Sequence, residues 1–256
     1  HYLLIGALAG ISAGLFGVGG GIVIVPLLQA AFTTQGVAPE VTMHLALGTS
    51  LATISFTSAS SAIAHYRLGS VRISSALTLA PAMIGGSGIG VITANYISGE
   101  LLKQLFGVFL ILVAINLALQ MRSFPRPAST AGSHFFAGTC FGSISALLGI
   151  GGGTLTVPYL IWRGSDPHSA VGTSAACAVL LAGAAALGYM LIGWGNAALP
   201  RAAYGFVYIP GLVGISLSSI VCSALAARLS HSLSGTLLTR LFALFLAYIG
   251  IAMVSN

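Results

Sequence analysis

Runs of about twenty apolar residues recur along the whole chain, and about twenty is the length a helix needs to cross roughly 30 Å of hydrocarbon. Segments 2–34, 42–65, 73–97, 101–120, 134–162, 168–191, 200–228 and 236–254 are predicted to be helical. With 57% hydrophobic and 5% charged residues over 256 positions, the chain has more apolar surface than a water-soluble core could hide. Only helices and closed barrels satisfy every backbone group in lipid, and no period-two alternation marks a barrel. The expected fold is an all-α polytopic membrane protein.

Nine Lys and Arg face three Asp and Glu. In a soluble protein that excess would suggest nucleic acid, but here the basic residues stand singly in short loops and read as a topology signal. The bilayer is the expected partner, with no nucleic acid. Cys140, Cys177 and Cys222 lie far apart in apolar segments without CxxC spacing, so they read as small packing residues and no metal or cofactor is expected.

The chain repeats itself. Gly17-Val-Gly-Gly-Gly-Ile-Val-Ile-Val-Pro26 is answered by Gly149-Ile-Gly-Gly-Gly-Thr-Leu-Thr-Val-Pro158. His44-Leu-Ala-Leu-Gly-Thr-Ser50 faces His168-Ser-Ala-Val-Gly-Thr-Ser174, and Leu101-Leu-Lys-Gln-Leu-Phe106 faces Leu237-Leu-Thr-Arg-Leu-Phe242. Two homologous four-segment repeats follow, 1–121 and 134–256, joined by a polar linker at 122–133 that begins Arg122-Ser-Phe-Pro-Arg-Pro. Each repeat opens on a segment of about 30 residues, roughly 45 Å of helix, too long for one straight crossing and interrupted by its glycines. It is either a broken helix that crosses or a re-entrant hairpin. With eight simple crossings the basic residues divide five to four. With hairpins, Arg67, Arg72, Arg122, Arg126, Arg163, Arg228 and Arg240 collect on one side and leave Lys103 and Arg201 opposite. That bias favours hairpins, which would place the repeats in inverted orientation and both termini outside the cytoplasm.

Irregular backbone at membrane depth normally lines a cavity. Gly19, Gly20 and Gly21, and Gly151, Gly152 and Gly153, are therefore candidate anion-binding turns, because half-helices beginning after them would aim N–H groups and positive dipole ends at the membrane centre. Tight turns and close packing are the plainer use of the same glycines. Thr49, Ser50, Thr173 and Ser174 lie two turns into their helices; their hydroxyls either donate to an oxyanion or bond the carbonyl four residues back. His44 and His168 occupy matching places near helix starts, as substrate donors, proton relays or interfacial residues. His65 is matched by Tyr189. Gly10-Ile-Ser12-Ala-Gly14 satisfies GxSxG, but what recurs is a small-residue ridge, Gly6, Gly10 and Gly14 against Gly138, Gly142 and Ala146, a packing device rather than a nucleophile elbow.

The only acidic residues are Glu40, Glu100 and Asp166, all near helix ends. No mid-membrane carboxylate is available for a cation, and no duplicated nucleophile and base for an enzyme.

Paired GxGGGxxxxP segments, each followed by Gly-Thr-Ser, resemble the TauE/SafE permeases over nearly the whole chain. The resemblance implies two four-segment repeats in the bacterial cytoplasmic membrane and transport of sulfite, sulfoacetate or related organosulfur anions. The leading expectation is a secondary transporter for such an anion; the alternatives are an anion channel and a carrier for small organic carboxylates.

Overall fold

The computed structural model describes residues 1–16, 20–119, 131–229 and 235–255. Its helices are α1 (Tyr2–Phe16), α2 (Gly21–Thr34), α3 (Pro39–Arg67), α4 (Ile73–Tyr96), α5 (Gly99–Leu119), α6 (Ala131–Leu147), α7 (Gly153–Trp162), α8 (Pro167–Ile192), α9 (Ile209–Leu229) and α10 (Gly235–Ser255), with a two-stranded hairpin, β1 (Ala203–Tyr204) and β2 (Val207–Tyr208), before α9. Among the described residues, Ile73–Tyr96, Gly99–Ala118 and Pro167–Ile192 are long and apolar enough to cross a bilayer. The protein is an all-α, multi-pass membrane protein. Most of the polar stretch between α5 and α6 lies outside the described residues.

Both long opening segments are broken at their glycines, and in each the second helix folds back along the first. Tyr2 at the start of α1 donates its hydroxyl to Gln35 Oε1 (2.8 Å) just past α2, and its ring lies 6.4 Å from that of Phe32. In the second half the His134 ring near the start of α6 lies 5.7 Å from that of Tyr159 in α7, with Tyr159 Oη 3.3 Å from His134 Nδ1. At 14 and 10 residues, α2 and α7 span only about 21 and 15 Å, too little to cross alone.

The remaining helices pack in matched pairs. α1 lies along α9 as α6 lies along α4, α3 crosses α8, and α5 lies against α10. Small residues make the closest approaches: Gly6 and Gly10 sit on the backbone of Ile215 and Ser219, and Gly138 and Gly142 on that of Leu79 and Met83. This is the packing use of the ridge that the GxSxG match suggested. α3 and α8 run antiparallel, since the early part of each meets the late part of the other: Gly48 packs on Tyr189 and Gly172 on His65, each 3.0 Å from the facing Cβ if given a β-carbon. Every residue of α3 from Val41 to Ile54 is buried, which makes this helix the centre of the core; α8 is buried along one stripe only.

Residues 200–208, read from the sequence as the first turns of a helix, are instead turn and hairpin. Gly205, at φ 54°, closes the hairpin between Tyr204 and Phe206, and α9 starts at Ile209. Aromatic and β-branched residues on a short alternating stretch favour the extended backbone. α3 also begins at Pro39, five residues before His44, so His44 lies inside its helix rather than at its mouth.

Candidate functional site

The two glycine breaks meet inside the molecule. Gly19 lies outside the described residues. Gly20 is in ordinary helical conformation (φ −63°) and precedes α2 without a side-chain cap. A β-carbon on Gly21 would lie 3.0 Å from the Gly149 carbonyl oxygen and 3.1 Å from Ile150 Cα, so the first turn of α2 is pressed against the second break. Every residue from Gly20 to Pro26 is buried.

The second break is a true change of backbone hand. Gly149 and Gly152 hold φ of 66° and 72°, a region in which an L side chain costs about 1–2 kcal/mol. Ile150 N–H closes back on Ser145 O (2.9 Å), and Gly152 O accepts from Leu155 N (3.0 Å) and Thr156 N (2.8 Å) to start α7. Among the described residues no backbone acceptor meets the N–H groups of Gly151, Gly152 or Gly153. They form the positive end of a short helix inside the fold, an arrangement suited to an anion. Beside them, Ser145 Oγ lies 3.6 Å from where a Gly152 β-carbon would stand. Ser145, Thr156 and Ser174 are buried, and their hydroxyls have no hydrogen-bond partner.

The two Gly-Thr-Ser triplets do the same thing twice with their first two residues. Tyr208 N–H, the last before α9, donates to Thr49 Oγ1 (2.9 Å), and Arg72 N–H, the last before α4, donates to Thr173 Oγ1 (2.9 Å). The adjacent glycines let the loop in: a β-carbon on Gly48 would collide with the Phe206 carbonyl oxygen and one on Gly172 would stand 2.6 Å from that of Ser70. Each triplet thus clasps the loop entering a helix of the other half, and its threonine oxygen is an acceptor there. The serines part company. Ser50 Oγ donates to Gly149 O (2.8 Å), tying α3 to the second break, whereas Ser174 Oγ has no partner.

The matching histidines also separate. His44 is buried, donates from Nε2 to Ala94 O (3.0 Å), and stacks 5.1 Å from Phe206, with Nδ1 unpartnered. His168 is exposed in the first turn of α8. The structure therefore brings together Gly20, Gly21, Ser50 and Gly151 to Gly153, puts Thr49 and Thr173 in loop clasps, and leaves His168 at the surface. Sequence reasoning passed over Ser145 and Thr156. The signal for Thr156 was present, since Thr-Leu-Thr at 154–156 replaces Ile-Val-Ile at 22–24 in otherwise matched runs.

Residues 2–253 match the family described as Sulfite exporter TauE/SafE. The chain belongs to the TauE/SafE family. A relative named probable membrane transporter protein from Haemophilus influenzae is 35% identical over 98% of this chain and 96% of its own length. The probable membrane transporter protein MJ0441 of Methanocaldococcus jannaschii is 26% identical over 98% and 94%, and YunE of Bacillus subtilis, of the same description, 31% identical over 62% and 66%. No solved structure matches the chain.

Proposed function

We propose that this membrane transporter carries small anions, sulfite or a short organosulfonate such as sulfoacetate first, through a site at the meeting of the two glycine breaks. The observation that carries the reading is the start of α7: unpaired N–H groups at a helix N-terminus, beside the buried and unpartnered hydroxyl of Ser145. A buried anion needs donors to replace its water, and backbone N–H and O–H groups supply them without a fixed cation. Glu40, Glu100 and Asp166 are exposed at helix ends, so no carboxylate competes in the interior. Membership of the TauE/SafE family and the names of its relatives agree with this reading.

The proposal includes two inverted repeats, residues 1–121 and 134–256, joined by the linker 122–133. It is supported by the matched motifs, by the fold-back of α2 on α1 and of α7 on α6, and by the antiparallel run of α3 and α8. With re-entrant hairpins each repeat crosses the bilayer an odd number of times, which inverts the second. In the bacterial cytoplasmic membrane, the positive-inside bias then puts both termini outside the cytoplasm. A C-terminal reporter active only in the cytoplasm would overturn that topology.

Uptake of labelled sulfite, sulfoacetate and choline into proteoliposomes tests the cargo. Saturable oxyanion uptake with counterflow is expected; conduction without either would make the protein a channel, and choline transport with no oxyanion transport would sink the anion reading.

A further inference from the structure

We infer that the anion is held by the second half of the chain alone, one per chain, by the hydroxyls of Ser145, Thr156 and Ser174 together with the N–H groups of Gly151, Gly152 and Gly153 that lead into α7. This rests on the anion reading above and locates its donors. Ser145 and Thr156 are 0% exposed and Ser174 is 2% exposed, and none of their hydroxyls has a partner. A buried polar group left unpaired is costly, and three such hydroxyls on the adjoining helices α6, α7 and α8 form a donor set that a ligand completes.

Their register brings Thr156 and Ser174 to one level. α7 and α8 pack together and are joined by a short turn at residues 163–166, so distances along each can be counted from that turn. Thr156 lies six residues before Trp162 and Ser174 seven after Pro167, which is about 9 and 10 Å at the helical rise of roughly 1.5 Å. Ser145 approaches from α6, beside Gly152. Leu181, two turns beyond Ser174 on the same stripe of α8, reaches Gly152, with Cδ2 3.3 Å from its β-carbon position, so Gly152 and Ser145 lie deeper than the Thr156–Ser174 level, about one turn of α7 beyond it.

The first half lacks the free hydroxyls of this set. The residues matching Ser145 and Thr156 are Ala13 and Ile24, neither of which can donate. The match of Ser174 is Ser50, whose hydroxyl is committed to Gly149 O. The first turn of α2 is buried throughout and packed on Gly149 and Ile150, whereas Gly153, Thr154 and Leu155 at the start of α7 keep partial exposure. The duplicated motif therefore has a scaffold copy and a binding copy.

The chemistry favours a sulfonate or sulfite over a carboxylate. An SO3 group points three oxygens in three directions, one to each hydroxyl, while a carboxylate carries its acceptor sites near one plane and meets three out-of-plane donors with poorer geometry, so the site discriminates by the direction of its donors.

Isothermal titration of the purified full chain with methanesulfonate and with acetate tests this. The expected result is one methanesulfonate per chain, bound more tightly than acetate. Ser145→Ala, Thr156→Val and Ser174→Ala should each weaken it about tenfold, Thr156→Ser should recover most of the loss, and Ser216→Ala, which removes a buried unpartnered hydroxyl of α9 outside the set, should leave the affinity within about twofold. Two anions per chain, acetate binding as tightly as methanesulfonate, or equal losses for Ser216→Ala and Ser174→Ala would overturn the one-sided site while leaving anion transport standing. Wild-type stoichiometry and anion preference decide the matter even if a variant fails to fold. Failure of the wild type to bind or transport any oxyanion would remove the anion reading and this inference with it.

Discussion

Around Gly20 and Gly21 the chain is buried through Pro26 and backed by Gly149 and Ile150, with isoleucines at 22 and 24. Around Gly152 and Gly153 the same Gly-Gly-Gly run turns into the left-handed region, keeps partial exposure in its first helical turn, and has threonines at 154 and 156. The difference teaches that a repeated Gly-Gly-Gly run fixes neither the backbone conformation nor the surroundings of its second copy. Elsewhere the halves agree closely, down to the threonine hydroxyl that receives the last N–H before α4 in one case and before α9 in the other.

The agreement can be broken first, because it carries the largest expected effect. Thr49→Val and Thr173→Val each leave a part-buried backbone N–H without its acceptor, at a cost of about 1–3 kcal/mol. Thermal unfolding in detergent should show both losses, of similar size, with Thr→Ser at each position restoring most of the stability. A large loss at one position and none at the other would mean that the clasps are not equivalent.

The glycines themselves give a smaller and one-sided contrast. Gly152→Ala forces a β-carbon into a left-handed residue and to 2.8 Å from Met83 Cε, and should cost about 1–2 kcal/mol. Gly20 already has φ −63°, and its nearest neighbour is the mobile tip of Ile24 at 3.2 Å, so Gly20→Ala should stay within about 0.5 kcal/mol of wild type. Equal destabilisation by the two alanines would erase the distinction between a packed break and a left-handed one.

Ser50 and Ser174 sharpen it further. Ser50→Ala removes the donor to a buried carbonyl and should lower stability by about 1 kcal/mol. Ser174→Ala removes a hydroxyl with no partner, so in the absence of anion it should be neutral or slightly stabilising. Unfolding temperatures measured with and without methanesulfonate separate the two: only the Ser174 variant should lose ligand stabilisation.

Much of the fold was legible because lipid imposes a strict rule on apolar run length: the membrane segments and the glycine interruptions of 2–34 and 134–162 are visible in the sequence and present in the structure. The hairpin at 203–208 was missed because it lies between apolar neighbours, where Tyr, Gly, Phe and Val read as the beginning of the next run. The site was less legible for a different reason. A Thr in a repeated triplet announces a hydroxyl but not its direction, and Thr49 and Thr173 accept backbone N–H bonds rather than bonding their own turn. His44 looked like the twin of His168 until the earlier start of α3 carried it into the core.

The smallest expected effect lies where α3 and α8 begin. Both open with proline, but α8 is preceded by Asp166, whose Oδ1 accepts from Ser169 N (2.9 Å), while α3 is preceded by Ala38 with no side-chain cap. Only the second half should therefore carry a pH-dependent cap. The bond from the Ser169 backbone holds the Asp166 carboxyl below its ordinary value of 3.8, with nearby Arg72 adding to it in the same direction. A carboxyl depressed in the folded state stabilises the protein above its unfolded pKa and loses that contribution as pH falls through the folded value. Unfolding temperature recorded from about pH 6 down to about pH 3 should thus show a modest acid-side decline that Asp166→Asn removes, since asparagine caps a helix without titrating. The solvent exposure of Asp166 keeps the effect small, and its ion pair with Arg72, at 3.5 Å and about half exposed on both sides, adds little. If Asp166→Asn kept the acid-side decline unchanged, the titrating group would lie elsewhere and the start of α8 would be no more pH-sensitive than that of α3.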